Sequence, residues 1–174
     1  MIRDITDARS ARADHLTGLN NRRQSEHEGA HLLGLRNEEP VILIMLDVDH
    51  FKAVNDTHGH QAGDEVLRGI AGIMDRICRQ SDFAGRWGGE EFVLLLPKTD
   101  TEGGGDLAER LRNTIAESPF PGIGAVTVSL GFAPAAEGDT LFPLVERVDD
   151  ALYRAKNAGR NRNETVLLGG IELE

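Results

Sequence analysis

FAGRWGGEEFVLLLP, residues 83–97, reads as a β-hairpin: a short strand, a Gly-Gly turn and a strongly apolar returning strand. Gly88 and Gly89 are expected to supply the positive φ that a two-residue hairpin turn needs. Glu90 and Glu91 then stand at the mouth of the returning strand. Carboxylates there cost desolvation unless an Arg, a Lys or a metal ion compensates them. A hairpin set among helices decides the fold class, because a sheet that contains it is mixed rather than wholly parallel.

Working outward, VILIMLDVD (41–49) is a near-continuous aliphatic run and predicts a central strand buried on both faces. Before it, LTGLNNRR (16–23) opens a helix running to about Arg36. After it, HFKAVNDTHGHQAGD (50–64) reads as a polar loop, followed by a helix from about Asp64 to Gln80. That helix carries the apolar stripe Val66, Leu67, Ile70, Ile73, Met74 and Ile77. Further helices are expected near 102–117 and 141–157, the latter capped by Gly159, with strands at 125–133 and 165–168. The order predicts an α/β fold, a mixed central sheet flanked by helices in a ferredoxin-like sandwich.

At 174 residues the chain suits one domain. Its expected extent is 14–168, with 1–13 the end of an N-terminal signalling helix or linker and 169–174 a tail. The formal charge of −10 argues against nucleic acid as a partner but leaves room for a small anion held locally. Cys78, the single cysteine, lies on the apolar helix and suits a packing role in a reducing compartment. No apolar run reaches the roughly 18 residues of a membrane span, and no signal peptide opens the chain. The expectation is a cytoplasmic domain without membrane contact.

Asp47 and Asp49, two apart at the end of the central strand, project to one face, and the Val48 carbonyl lies near them. If that strand pairs with the hairpin, Asp47, Glu90 and Glu91 converge. Hard oxygen ligands without a His or Cys pair favour Mg²⁺ or Mn²⁺ over zinc; the alternative is a set of solvated strand-end acids. HFKAVND reads as a tight turn whose N–H groups and Lys52 suit phosphate oxygens. In KNAGRNR (156–162), Lys156 and Arg160 suit the outer phosphates of a nucleotide, or else complement a helix dipole. Asn55 and Asp64 are candidates for reading guanine, whose N1 and N2 hydrogens an Asp accepts; Asp64 is alternatively a helix N-cap.

These motifs together resemble a GGDEF domain, the catalytic module of diguanylate cyclases. The resemblance rests on DHLTGLNNRR, LDVDHFKAVNDTHGHQAGDEVLR, GGEEF (88–92), VTVSLGFA and ALYRAKNAGRNR in order, and spans about 14–168. It implies a palm-like fold shared with nucleotidyl cyclases and polymerases. It implies two Mg²⁺ (or Mn²⁺) ions held by Asp47, Glu90 and the Val48 carbonyl, with Glu90 also the base at the ribose 3′-hydroxyl and Glu91 in support. A metal-activated alkoxide is the rival to that base. Phe51 and Lys52 would lie at the phosphates, Lys156 and Arg160 at the triphosphate end, and Asn55 and Asp64 at guanine. The implied reaction joins two GTP into cyclic di-GMP (c-di-GMP) with loss of two pyrophosphates, and requires a homodimer. RDITDARS resembles the exit of a PAS sensor, implying an upstream sensory domain.

RQSD (79–82) stands five residues before the signature, where family members carry an inhibitory product site. Arg79 and Asp82 would hold c-di-GMP there, with Arg110 as a further contact from a partner domain. Alternative functions are a non-catalytic module binding GTP or c-di-GMP, a cyclase of other substrates, and a structural dimerisation domain. The intact signature and Asp64 favour the enzyme acting on GTP.

Overall fold

The computed structural model describes residues 11–166 and 168. In chain order these form α1 (Arg22–Leu35), β1 (Val41–Val48), α2 (Phe51–His58), α3 (His60–Ile77), β2 (Phe83–Arg86), β3 (Glu91–Pro97), α4 (Thr101–Glu117), β4 (Val128–Pro134), α5 (Leu141–Asn157) and β5 (Asn163–Thr165). The five strands make one sheet in the order β2-β3-β1-β4-β5. β1 runs antiparallel to both β3 and β4, whereas β5 joins β4 in parallel. The sheet is therefore mixed, as expected.

All eight residues of β1 are buried, which explains its lack of polar alternation. Ile42, Ile44, Leu46 and Val48 face a core shared with Val66, Ile70 and Met74 of α3 and Leu111 and Ile115 of α4. Val41, Leu43 and Met45 face the other core, with Leu33 of α1 and Leu144, Val148 and Leu152 of α5. Strand parity thus puts Asp47 on the α1/α5 side of the sheet.

Four expectations need correction. Residues 50–64 are not a loop: His50 turns the chain at φ 53°, α2 forms, Gly59 (φ 90°, ψ 163°) breaks it, and α3 begins at His60. α2 buries no residue fully, so it shows no apolar stripe; only Phe51 and Val54 lean on the core. Secondly, the Gly-Gly turn is not built on positive φ, which neither Gly88 nor Gly89 adopts. The hairpin connection is Trp87–Glu90, closed by the Trp87 and Gly88 N–H groups donating to the Glu91 carbonyl at 2.8 and 3.2 Å. Thirdly, the last strand lies at Asn163–Thr165 rather than 165–168. Finally, β4 begins at Val128, not at 125.

Cys78 caps α3 and packs against the core, and burial pushes its thiol up to about 12. No helix among the described residues is long and apolar enough to cross a membrane. The expected signalling-helix remnant falls mostly on residues 1–10 and the tail on 169–174, outside the described residues.

Candidate active site at the ends of β1 and β3

The register of the sheet brings the acids together. Asp47 lies opposite Glu91 across β1–β3 and opposite Ser129 across β1–β4. Only 6 % of Asp47 is exposed, and its Oδ2 accepts from Lys156 Nζ of the last turn of α5 at 2.9 Å. Burial pushes the Asp47 carboxyl up, against the pull of Lys156, and the Asp49 charge adds to the rise. Glu90 and Glu91 are half-buried; burial raises both carboxyls, and the neighbouring Asp47 charge raises them further. Among the described residues Lys156 is the one cation paired directly with any of these three acids.

Mutually repelling carboxylates at a strand end suit a divalent cation, and an all-oxygen donor set suits Mg²⁺ or Mn²⁺. The residues fit such an ion in chemistry. Among the described residues, however, no three His, Cys, Asp or Glu side chains already close around one point.

Asp49, which shares the strand end, has a different task. Its carboxylate accepts from Ser129 Oγ at 2.6 Å, Thr127 Oγ1 at 2.7 Å and the Asn161 N–H at 3.0 Å. It ties β1 to β4 and to the segment after α5. The signal was present in VTVSLGFA, where Thr127 and Ser129 alternate with apolar residues of a buried strand.

Phe51 opens α2 half-buried, and Lys52 beside it is exposed. Because a short helix starts there rather than a tight turn, the N–H groups of its first residues lack intrahelical partners. Asn55 of α2 keeps its Oδ1 buried and without a hydrogen-bond partner. A Cβ at Gly63 of α3 would come within 1.9 Å of that oxygen, so a side chain there would displace the Asn55 amide. Asp64 follows inside α3 and is half-buried; the N-cap position belongs to Gly59, which overturns the capping alternative. Arg160 is exposed beyond α5 at φ 62°, and its charge opposes the rise at Asp47.

Two contacts that the sequence did not suggest brace the hairpin. Arg86 pairs with Asp14 at 3.2 Å, and Arg22 of α1 lies over the Trp87 ring at 4.6 Å from its centroid. Both join the residues before and within α1 to the turn that carries Glu90.

Arg79, Asp82 and Arg110 line one groove of about 620 Å³ with Lys98, Thr99 and Asp106. The Arg79 N–H donates to Asp82 Oδ2 at 2.8 Å and its Nη2 to Thr99 Oγ1 at 2.7 Å. Arg110 Nη2 reaches the Ile77 carbonyl at 3.1 Å, so within a single chain Arg110 borders the same groove as the RQSD residues.

Residues 11–162 match the family profile described as diguanylate cyclase, GGDEF domain. The diguanylate cyclase DgcM of Escherichia coli K12 is 42% identical over 172 residues, 93% of this chain and 42% of the relative. DgcP of Pseudomonas aeruginosa is 45% identical over 161 residues, 90% of this chain and 24% of the relative. The chain thus spans less than half the length of these curated relatives. Among solved structures, the GGDEF domain of DgcB from Caulobacter crescentus in complex with c-di-GMP superposes with a TM-score of 0.84 at 37% identity, covering 89% of this chain and 93% of that one. The active GGEEF domain of a Vibrio cholerae diguanylate cyclase gives a TM-score of 0.78 at 35% identity, covering 87% and 98% respectively.

Proposed function

The chain belongs to the GGDEF family of diguanylate cyclase domains, and from that footing we propose that it condenses two GTP into c-di-GMP with release of two pyrophosphates. The observation that carries the proposal is the register that sets Asp47 opposite Glu91 at the strand end, next to Glu90 in the turn, with Lys156 on Asp47.

In this reading Asp47, Glu90 and the Val48 carbonyl hold two Mg²⁺ (or Mn²⁺) ions. When bound, these ions supply positive charge to the attacking and leaving oxygens of phosphoryl transfer. Glu90 takes the proton of the ribose 3′-hydroxyl as general base. The 3′-oxygen of one GTP bonds to the α-phosphorus of the other, and the bond from that phosphorus to pyrophosphate breaks. The same exchange in the opposite sense closes the ring. Glu91 supports the site from the facing strand. Asp64 accepts from the N1 and N2 hydrogens of guanine beside Asn55, whose unpartnered Oδ1 is the observation behind its part of that assignment. Phe51, Lys52 and the first N–H groups of α2 lie at the phosphates, with Lys156 and Arg160 at the triphosphate end.

Each domain offers one set of these residues, so a site holding two GTP requires two domains face to face. Turnover should therefore rise faster than linearly with protein concentration when GTP and Mg²⁺ are saturating. Mass spectrometry of the product checks the chemistry: c-di-GMP supports the proposal, whereas GTP that binds and persists even in dimers forced by a fused coiled coil sinks it. An upstream sensory domain that sets the dimer geometry, and a cytoplasmic setting, belong to the same proposal.

The groove of Arg79, Asp82 and Arg110 is proposed as an inhibitory site for c-di-GMP. Arg79→Ala should raise the concentration of c-di-GMP that halves turnover by about tenfold or more, the loss of one charge-assisted contact. Unchanged inhibition in that variant would remove the groove from the account.

A further inference from the structure

The segment 158–163 carries Arg160 away from α5 in a backbone shape that needs support. Arg160 and Asn161 are consecutive left-handed residues, at φ 62° and 47°. Conformations of this kind persist only where the surroundings hold them. One support is local, the Arg160 N–H donating to the Ala155 carbonyl, and one comes from the end of β1, where Asp49 Oδ2 accepts from the Asn161 N–H, each at 3.0 Å.

The other supports come from α4. Arg112 Nη1 donates to Asn161 Oδ1 at 2.9 Å and lies 3.4 Å from the Asn161 carbonyl. The same guanidinium is oriented by Glu109, which accepts from its Nε at 2.9 Å and also from its Nη2. Glu109 Oε2 accepts in addition from Asn163 Nδ2 at 2.7 Å, beyond the left-handed pair. Arg112 therefore holds the second of the two strained residues, and Glu109 holds the chain two residues beyond it.

The energetics set this arrangement apart from general scaffolding. Arg112 and Glu109 are neighbours on one helix, with side chains 18% and 46% exposed, and their hydrogen bonds outside α4 go to Asn161 and Asn163. A helical pair at this spacing adds little to global stability of its own. Their effect is local order at a segment whose next neighbour is the end of β1.

We propose that Arg112 and Glu109 are positioning residues for the nucleotide triphosphate: by gripping Asn161 and Asn163 they keep Arg160 at the end of β1, without touching the nucleotide themselves. The inference rests on the reading of the strand-end acids as a GTP site.

The test compares the unaltered chain with Arg112→Ala and Glu109→Gln by amide hydrogen exchange and by GTP kinetics. In Arg112→Ala the peptide covering 158–163 should exchange roughly tenfold faster, while peptides of β1 and β3 and the denaturation midpoint stay as they were. KM for GTP should rise by about tenfold with kcat within about twofold, the signature of lost ground-state positioning. Glu109→Gln keeps the shape but only one of the two acceptor oxygens, so it should move both readouts in the same direction as Arg112→Ala, by less. Unchanged exchange at 158–163 in Arg112→Ala overturns the grip. Faster exchange with an unchanged KM overturns the positioning role. An unaltered chain that binds no GTP overturns the site reading instead, and is recognised because the exchange contrast at 158–163 still appears.

Discussion

Glu90→Gln should leave a folded chain that turns over GTP roughly 10³-fold more slowly, the scale of a removed general base or transition-state charge. Gln matches Glu in size and keeps an oxygen at the hairpin, so Trp87 and Gly88 still close the turn on the Glu91 carbonyl. What disappears is a negative charge. That charge is unfavourable to the fold: burial and the nearby Asp47 push the Glu90 carboxyl above its ordinary value. A carboxyl that holds its proton more tightly in the folded state opposes folding when ionised, so at neutral pH the neutral amide should hold or raise the denaturation midpoint. The pairing of lost turnover with unchanged or improved stability distinguishes a functional acid from a structural one. Turnover within about tenfold of the unaltered chain, or a fall in stability that accounts for the loss, would remove Glu90 from its proposed role.

The asymmetry between what could and could not be read from the sequence has physical causes. β1 was legible because a strand buried on both faces must be apolar throughout, and VILIMLDV has no other comfortable setting. The pairing of Asp47 with Glu91 followed once that strand lay beside the hairpin. α2 was illegible because it touches the core with only Phe51 and Val54, and its other residues suit a loop as well as a helix. Misreading it moved the expected start of α3 to Asp64, four residues late, and made that residue look like a cap. β5 is three half-buried residues in parallel beside β4, too short to show a period. The roles of Asp49 and Arg112 depend on partners far along the chain, 80 residues away for Ser129 and 49 for Asn161. Residue types mark Thr127 and Ser129 as polar positions in an apolar run but do not say which acid they meet, so a strand-end Asp that is an anchor looks the same as one that faces a ligand.

Gly131→Ala should be strongly destabilising, costing about 3 kcal/mol or more. Gly131 is buried in the middle of β4, and α5 lies directly on it. A Cβ at 131 would come within 2.4 Å of both the Leu152 nitrogen and the Val148 carbonyl oxygen, and within 2.9 Å of the Leu152 Cα. These are backbone atoms in the interior of a helix, so no rotamer change relieves the contact and α5 itself must lift. Lifting it loosens Val148, Leu152 and Leu144 from the core they share with Leu43 and Met45 of β1. It also withdraws Lys156, one turn beyond Leu152, from Asp47, so activity should fall with stability. Gly72→Ala serves as the control. That glycine lies inside α3, its Cβ would meet only the tip of Arg76 at 3.7 Å, and the exchange should stabilise by roughly 0.5–1 kcal/mol through helix propensity. Urea denaturation of the two variants checks both signs. If Gly131→Ala unfolds within about 1 kcal/mol of the unaltered chain, the close seating of α5 on β4 is not what places Lys156 at the acids.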